Sequence, residues 1–170
     1  MKTIHSVHNE SIKKITTLQT SKGRLLLKQY IAEGLRTLER FAAAGKNPIE
    51  LYVIEALYTD ARIIFKTSNP IIVPEHVMKK ISPSITPPGI LGIFTIEEPI
   101  APIQCTQSSG LVLANITDPG NMGTLIRSAA ACGYKTVIII DGVDPYSPKV
   151  IQSSAGSIAH VHLIECSWNE

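Results

Sequence analysis

Aromatic residues are scarce in this chain of 170 residues: one Trp, five Tyr and three Phe, 5% in all. That scarcity argues against an aromatic platform on which successive bases of a single strand would stack. Cysteine is scarcer still. Cys105, Cys132 and Cys166 are widely spaced and form no CxxC pair. They support neither a disulfide framework nor a zinc site, and they suit a reducing cytoplasm. No apolar run approaches the roughly 18 residues of a membrane span, and the opening MKTIHSVHNESIKK has no apolar core of a secretory signal. A cytoplasmic protein away from membranes is therefore expected. A composition of 44% apolar and 18% charged residues is that of a folded globular chain. Its length allows one domain or two small ones.

The net charge of +2 hides an asymmetry. Residues 1–80 carry 13 Lys and Arg against 7 Asp and Glu, whereas residues 81–170 carry 3 against 7. A basic half beside an acidic half suggests that the first engages polyanions while the second does something else. Lys13, Lys14, Lys22, Arg24 and Lys28 are candidates for neutralising phosphates. A solvated basic surface accounts for the same residues equally well.

Strand-like and helix-like segments alternate, which implies layered α/β architecture. A short helix is expected over His8–Leu18, capped by Asn9 or Ser11. Arg24–Tyr30 is strand-like, and Leu35–Ala44 is a helix stopped at Gly45. Further strands are expected at Leu51–Ile54, Ile71–Val73 and Ile90–Thr95, and a helix at Pro74–Lys80 with proline in its first turn. The Pro-, Ser- and Gln-containing stretch Glu97–Gly110 has no apolar period and is expected to be a linker. Beyond it come a strand at 111–115, a helix near 121–132, a strand at 136–140, a short helix near 148–153 and a strand at 160–164. The domains expected are therefore residues 1–98 and 111–170, joined by a linker at 99–110.

The densest segment is ITDPGNMGTLIRSAAACG, residues 116–133. Before it, Leu111–Ala114 is a short apolar run suited to a covered parallel strand. Asp118-Pro119-Gly120-Asn121 is turn chemistry, and helix formers follow from Gly123 until Gly133 ends them. A strand, a glycine-containing turn and a helix is where α/β proteins place ligands, at the carboxyl ends of strands. Arg127 is expected in the first turns of that helix, facing the site. Its alternative is an ion pair with Asp118 or Asp141 that orders the turn. Asn121 is open between ligand contact and capping, and Gly120 and Gly123 serve backbone shape. The GxxG spacing is not a dinucleotide fingerprint.

DPGNMGTLIRSAAACG resembles the first signature of the SpoU (TrmH-like) RNA ribose 2′-O-methyltransferases of the knotted SPOUT superfamily. SPKVIQSSAGSI, residues 147–158, resembles the second, with Gln152 standing where a basic residue is common. RLLLKQYIAEGLRTLERFAAAG, PIELYVIEA and TPPGILGIF resemble the substrate-binding domain that precedes catalysis in many members. This resemblance implies a small N-terminal α/β RNA-binding, ribosomal-protein-like substrate-binding domain. An incomplete SPOUT α/β-knot domain with a parallel sheet would follow it. It implies transfer of a methyl group from S-adenosylmethionine to a ribose 2′-hydroxyl of rRNA or tRNA, with no metal, by a homodimer whose sites lie near the subunit interface. Arg127 matches the signature arginine and Asn121 its asparagine, the two catalytic candidates. Lys149 is a candidate for RNA phosphate, and Ser154 and Gly156 for approach to the site, although a helix start and turn there would use the same residue types. Lys13, Lys14 and Lys28 complete the candidate substrate-binding set.

The family's third signature, rich in Gly, Asn and Ser, supplies most of the cofactor pocket, and no such segment occurs before Glu170. The chain is accordingly expected to be a fragment of a longer protein or a truncated relative, its cofactor-binding residues unknown. A non-catalytic RNA-binding protein on the same scaffold is the second reading, and a Rossmann-type nucleotide enzyme the third. His160 and His162, two apart on an expected strand, would share a face, but no third metal ligand accompanies them. Glu33 reads as a first-turn acid favoured by the helix dipole.

Overall fold

A computed structural model describes residues 2–97 and 109–169. The chain divides into two compact units, Met1–Ile96 and Glu97–Glu170. Most of the expected linker, with Cys105, lies outside the described residues.

The first unit runs β1 (Lys2–Thr3), α1 (Glu10–Thr17), α2 (Ser21–Leu27), β2 (Gln29–Glu33), α3 (Leu35–Ala43), β3 (Glu50–Val53), α4 (Tyr58–Ile64), β4 (Ile71–Ile72), α5 (Glu75–Ile81) and β5 (Ile90–Thr95). Its strands form one mixed sheet in the order β1-β4-β3-β5-β2. β1, β4 and β3 are mutually parallel, and β5 runs antiparallel to both β3 and β2. Ile12 and Ile15 of α1 and Val77, Met78 and Ile81 of α5 form one buried cluster with Ile31, Tyr52 and Leu91 of the sheet. Each such side chain contributes roughly 1.5–3 kcal/mol on leaving water. A second apolar group gathers Tyr30, Phe41 and Phe94, with 4.6 Å between the two phenylalanine centroids. Aromatic pairs favour this tilted arrangement.

Two local expectations fail here. Ser21–Leu27 is helical where Arg24–Tyr30 reads as strand. Thr20 caps the helix by accepting from the Gly23 N–H at 3.1 Å, and three leucines favour helix over strand. The strand begins only after Lys28 turns left-handed at φ 51°. Second, α4 has no counterpart among the expected elements. Its only buried helical residue is Ala61, backed by Phe65 after its end, too little apolar period to mark it. Asn9 is the cap of α1, accepting from the Ser11 N–H at 2.9 Å.

The second unit contains β6 (Gly110–Ile116), α6 (Pro119–Ala131), β7 (Thr136–Gly142), α7 (Pro148–Ser153), a 3-10 turn at Ser157–His160 and β8 (His162–Cys166). The three strands are parallel and pair in chain order β6-β7-β8. The mixed α/β class and the parallel sheet of the second half are as expected. Met122, Ile126 and Ala129 recur at helical spacing and are buried, and α6 packs against both β6 and α7. The last strand differs from expectation: His160 ends the 3-10 turn and only His162 enters β8, so the pair does not share a strand face. Both are exposed.

Candidate active site

β6 and β7 end together, and their last residues break the regular pleat in the same place. Ala114 pairs with Ile140 and Ile116 with Gly142, while the intervening Asn115 and Asp141 both take left-handed backbone, at φ 54° and 46°. Asn and Asp are the non-glycine residues that enter this region most readily. The chain leaves β6 through Thr117 and reaches Asp118, whose carboxylate accepts from the Asn121 N–H at 2.7 Å. Asp118 is thus the N-cap and Pro119 the first helical residue. The helix begins two residues earlier than expected, because proline at this position sacrifices only an N–H that has no partner anyway.

A pocket of about 440 Å³ opens at this junction, its walls including Asn115, Ile116, Asp118, Asn121, Thr124 and Leu125. Asn121 is brought to it; Asn115 and Thr124 are members that sequence reasoning missed. An asparagine at the end of an otherwise apolar strand was the available signal for the former.

Arg127 is the ninth residue of α6, in its third turn, and it is exposed rather than turned inward. It lies one turn beyond Thr124, where residues three apart are neighbours on a helix surface. No hydrogen bond or ion pair holds it among the described residues, so the expected alternative of a pair with Asp118 or Asp141 is not present there.

α7 is seated directly on α6. The single Ser153 hydroxyl proton is shared between its own helix, at the Lys149 carbonyl 2.8 Å away, and the Pro119 carbonyl of α6 at 3.1 Å. Lys149 is exposed in the first turn of α7. Ser154 is fully buried and donates to the Ile151 carbonyl at 2.8 Å, so its hydroxyl is engaged inside the unit and not presented to the pocket. Gly156 supplies a left-handed turn, φ 83°, and is likewise buried. Just before α7, burial pushes the Tyr146 phenol well above the ordinary range, and the carboxylates of Glu165, Glu97 and Asp144 push it the same way.

The candidates of the first unit separate into two kinds. Lys13 and Lys14 lie exposed on α1, Lys22 on α2 and Lys28 at the C-cap of α2, all free to meet solvent or polyanion. Arg24 is 4% exposed and donates to the Leu18 carbonyl at 2.8 Å. It is a structural residue, not a phosphate contact. Glu33 is the last residue of β2 and its two carboxylate oxygens accept from the Ser82 and Ser84 hydroxyls, a tie across the sheet edge rather than a helix-dipole charge. Among the described residues no group of three His, Cys, Asp or Glu side chains could hold a metal ion. No helix among them is long and apolar enough to cross a membrane.

Residues 109–170 match the SpoU rRNA Methylase family, and residues 9–92 match the MRM3-like substrate binding domain. An uncharacterized tRNA/rRNA methyltransferase of Synechocystis sp. is 32% identical over 161 residues, which is 91% of this chain and 58% of that protein. The Bacillus subtilis 23S rRNA (guanosine-2′-O)-methyltransferase RlmP is 31% identical over 96% of this chain and 65% of its own length. The mouse mitochondrial rRNA methyltransferase 3 is 29% identical over 91% of this chain and 38% of its own. The chain thus spans less than two thirds of the length of each of these relatives. Among solved structures, the AdoMet-bound rRNA methyltransferase from Sinorhizobium meliloti superposes with a TM-score of 0.81 at 26% identity. That match covers 99% of this chain and 66% of the other. An RNA 2′-O ribose methyltransferase gives 0.76 at 29% identity, covering 98% and 66%.

Proposed function

We propose that this chain, whose residues 109–170 match the SpoU rRNA Methylase family and residues 9–92 the MRM3-like substrate binding domain, is part of an enzyme that methylates the ribose 2′-hydroxyl of rRNA or tRNA. The first unit would deliver RNA and the second would perform the transfer. The observation that carries the reading is Arg127: an exposed arginine with no partner among the described residues, one turn from the rim of a polar pocket at the carboxyl end of β6.

The pocket lining joins amides and hydroxyls, from Asn115, Asn121, Thr117 and Thr124, and the Asp118 carboxylate that caps the helix, to the aliphatic Ile116 and Leu125. Such a lining fits a nucleoside, which both S-adenosylmethionine and the target nucleotide carry. S-adenosylmethionine, when bound, supplies an electrophilic methyl group on a sulfonium. The protein's own work is alignment and charge. Arg127 stays protonated, so it does not serve as a base. Its fork holds the phosphate beside the target ribose and stabilises negative charge developing on the 2′-oxygen. Asn121 orients the ribose from the start of the helix, and Lys149 takes a further phosphate. Lys13, Lys14 and Lys28 neutralise backbone away from the reacting atoms. Arg127 stands on the outer surface of its unit, open to a second copy of the chain. We carry over from the family resemblance a homodimer with sites near the subunit interface, and a cytoplasmic setting accords with free Cys132 and Cys166.

The test is transfer of labelled methyl from S-adenosylmethionine to ribosomal and transfer RNA, followed by alkaline digestion, which 2′-O-methylated linkages resist. Label in resistant dinucleotides that Arg127→Ala reduces about 10²–10³-fold supports the reading. Equal turnover by the variant sinks the role of Arg127. Retained RNA binding with neither transfer nor S-adenosylmethionine binding would favour a non-catalytic RNA-binding protein.

A further inference from the structure

Two side chains at the carboxyl edge of the second sheet do nothing for the fold. Asn115 and Asp141 are neighbours across the β6–β7 ladder, between the pairs Ala114–Ile140 and Ile116–Gly142. Adjacent strands lie about 4.8 Å apart, which puts both residues within reach of one small ligand group. Both are exposed, and neither side chain enters a hydrogen bond or ion pair among the described residues. The nearby acids differ in this respect. Asp118 accepts from the Asn121 N–H at 2.7 Å, and Asp144 accepts from the Tyr146 N–H at 2.8 Å.

The same two residues hold left-handed backbone, φ 54° and 46°, a conformation that glycine adopts without penalty. Glycine would serve the backbone better at either position; what it lacks is the amide and the carboxylate. Strained positions of this kind gather at ligand sites, and Asn115 lines the pocket of about 440 Å³ together with Asn121 and Thr124. Topology points the same way. β6, the turn at Gly120, α6 and β7 form a βαβ unit, and Asp141 stands at the end of its second strand. From that place, in doubly wound proteins, a carboxylate accepts a ribose hydroxyl.

Resting on the RNA-methyltransferase reading, we propose that Asn115 and Asp141 together recognise a ribose 2′-hydroxyl of the RNA and set the preference of the pocket for an unmodified ribose. A 2′-hydroxyl is donor and acceptor at once. It donates to the Asp141 carboxylate in a charge-assisted hydrogen bond, and its oxygen accepts from the Asn115 amide. A deoxyribose offers neither partner. A 2′-O-methylated ribose keeps the oxygen but has no proton to donate, so the carboxylate faces an ether and goes unpaired. A polar site left unpaired in this way rejects the ligand. The pair therefore selects substrate and also favours release of methylated product.

Anisotropy titrations of the chain with one labelled hairpin in three forms, as RNA, as fully 2′-O-methylated RNA and as DNA, test this. The readout is the ratio of affinities, because loss of the Asp141 charge also eases phosphate repulsion on all three alike. The native chain is expected to favour RNA about tenfold over each of the others, the worth of one charge-assisted hydrogen bond. Asp141→Gly is expected to bind RNA and 2′-O-methylated RNA equally, and Asn115→Gly to lose most of the preference for RNA over DNA. Glycine suits both backbones, so unchanged melting curves verify the fold. Asp141→Asn, equal in shape and still an acceptor, is expected to fall between native and glycine. Ratios unchanged in both glycine variants, or a native chain without preference, overturn the inference alone. Loss of S-adenosylmethionine binding with the RNA ratios intact assigns the pair to the ribose of the cofactor and also overturns it. A native chain that binds none of the three hairpins overturns the RNA reading and the inference with it.

Discussion

Gly123 of α6 and Val150 of α7 meet backbone to backbone. A Cβ on Gly123 would stand 2.6 Å from the Val150 carbonyl oxygen and 2.8 Å from the Ser154 nitrogen. These are backbone atoms, which cannot swing aside. The glycine of the first signature segment is thereby what lets the helix of the second segment lie across it, with Ser153 tying the two at Pro119. Two stretches that look like separate motifs are one packed unit.

Gly123→Ala should therefore destabilise the second unit by about 1–3 kcal/mol, the usual cost of forcing extra volume into a packed contact. It should also disturb the pocket, since α6 carries Asn121 and Thr124. Urea unfolding monitored by circular dichroism checks the first part. A change within about 0.5 kcal/mol would mean the helices part freely, contrary to the contact described.

Arg127→Ala should leave stability unchanged, because no described partner is lost, while transfer collapses. Arg127→Lys should recover only part of the rate, since a single ammonium cannot make the bidentate contact of a guanidinium. Melting temperature and turnover measured on the same preparations separate the two effects. A variant that unfolds would show the arginine to be structural after all.

Arg24 and the surface lysines should behave oppositely. Arg24→Ala leaves the Leu18 carbonyl without its buried donor and should cost about 1–3 kcal/mol of stability, with RNA affinity of the folded fraction unaltered. Alanine at Lys13, Lys14 and Lys28 should leave melting alone and weaken RNA binding more at low salt than at high. Salt-independent affinity would remove these lysines from the RNA surface.

Alkaline pH should destabilise the fold through its buried phenols. Burial raises Tyr52 above the ordinary phenol range, reinforced by the 2.7 Å hydrogen bond it donates to Glu50. Tyr146 is raised likewise by burial and its carboxylate neighbours. A group held protonated in the folded state while the unfolded chain releases its proton contributes stability that is complete below the unfolded pKa and is lost above it. Unfolding free energy should fall as pH rises beyond about 10, and less steeply in Tyr52→Phe. Identical slopes for the two proteins would show that Tyr52 ionises freely in the folded state.

The sequence by itself determined the alternation of strands and helices, the parallel strands of the second half and the strand–turn–helix that forms the pocket. It could do so because these depend on local rules: apolar runs for strands, Asp118-Pro119 for a helix start, Gly133 for its end. The cover expected over Leu111–Ala114 is not found among the described residues, where only Leu113 is buried and Val112 is 54% exposed. Periodicity also placed α3, α5 and β5 within a residue or two. Only the tertiary structure decided what each polar residue is for. Arg24 and Lys28 look alike in sequence, yet one is buried against a carbonyl and the other is exposed. Ser153 and Ser154 are neighbours, yet one bridges two helices and the other lies wholly within the core. Glu33 reads as a helix-start acid and proves to be the anchor of a loop some fifty residues away in sequence. Such roles are set by burial and by partners distant along the chain, and neither propensity nor spacing encodes a partner that folding alone brings near.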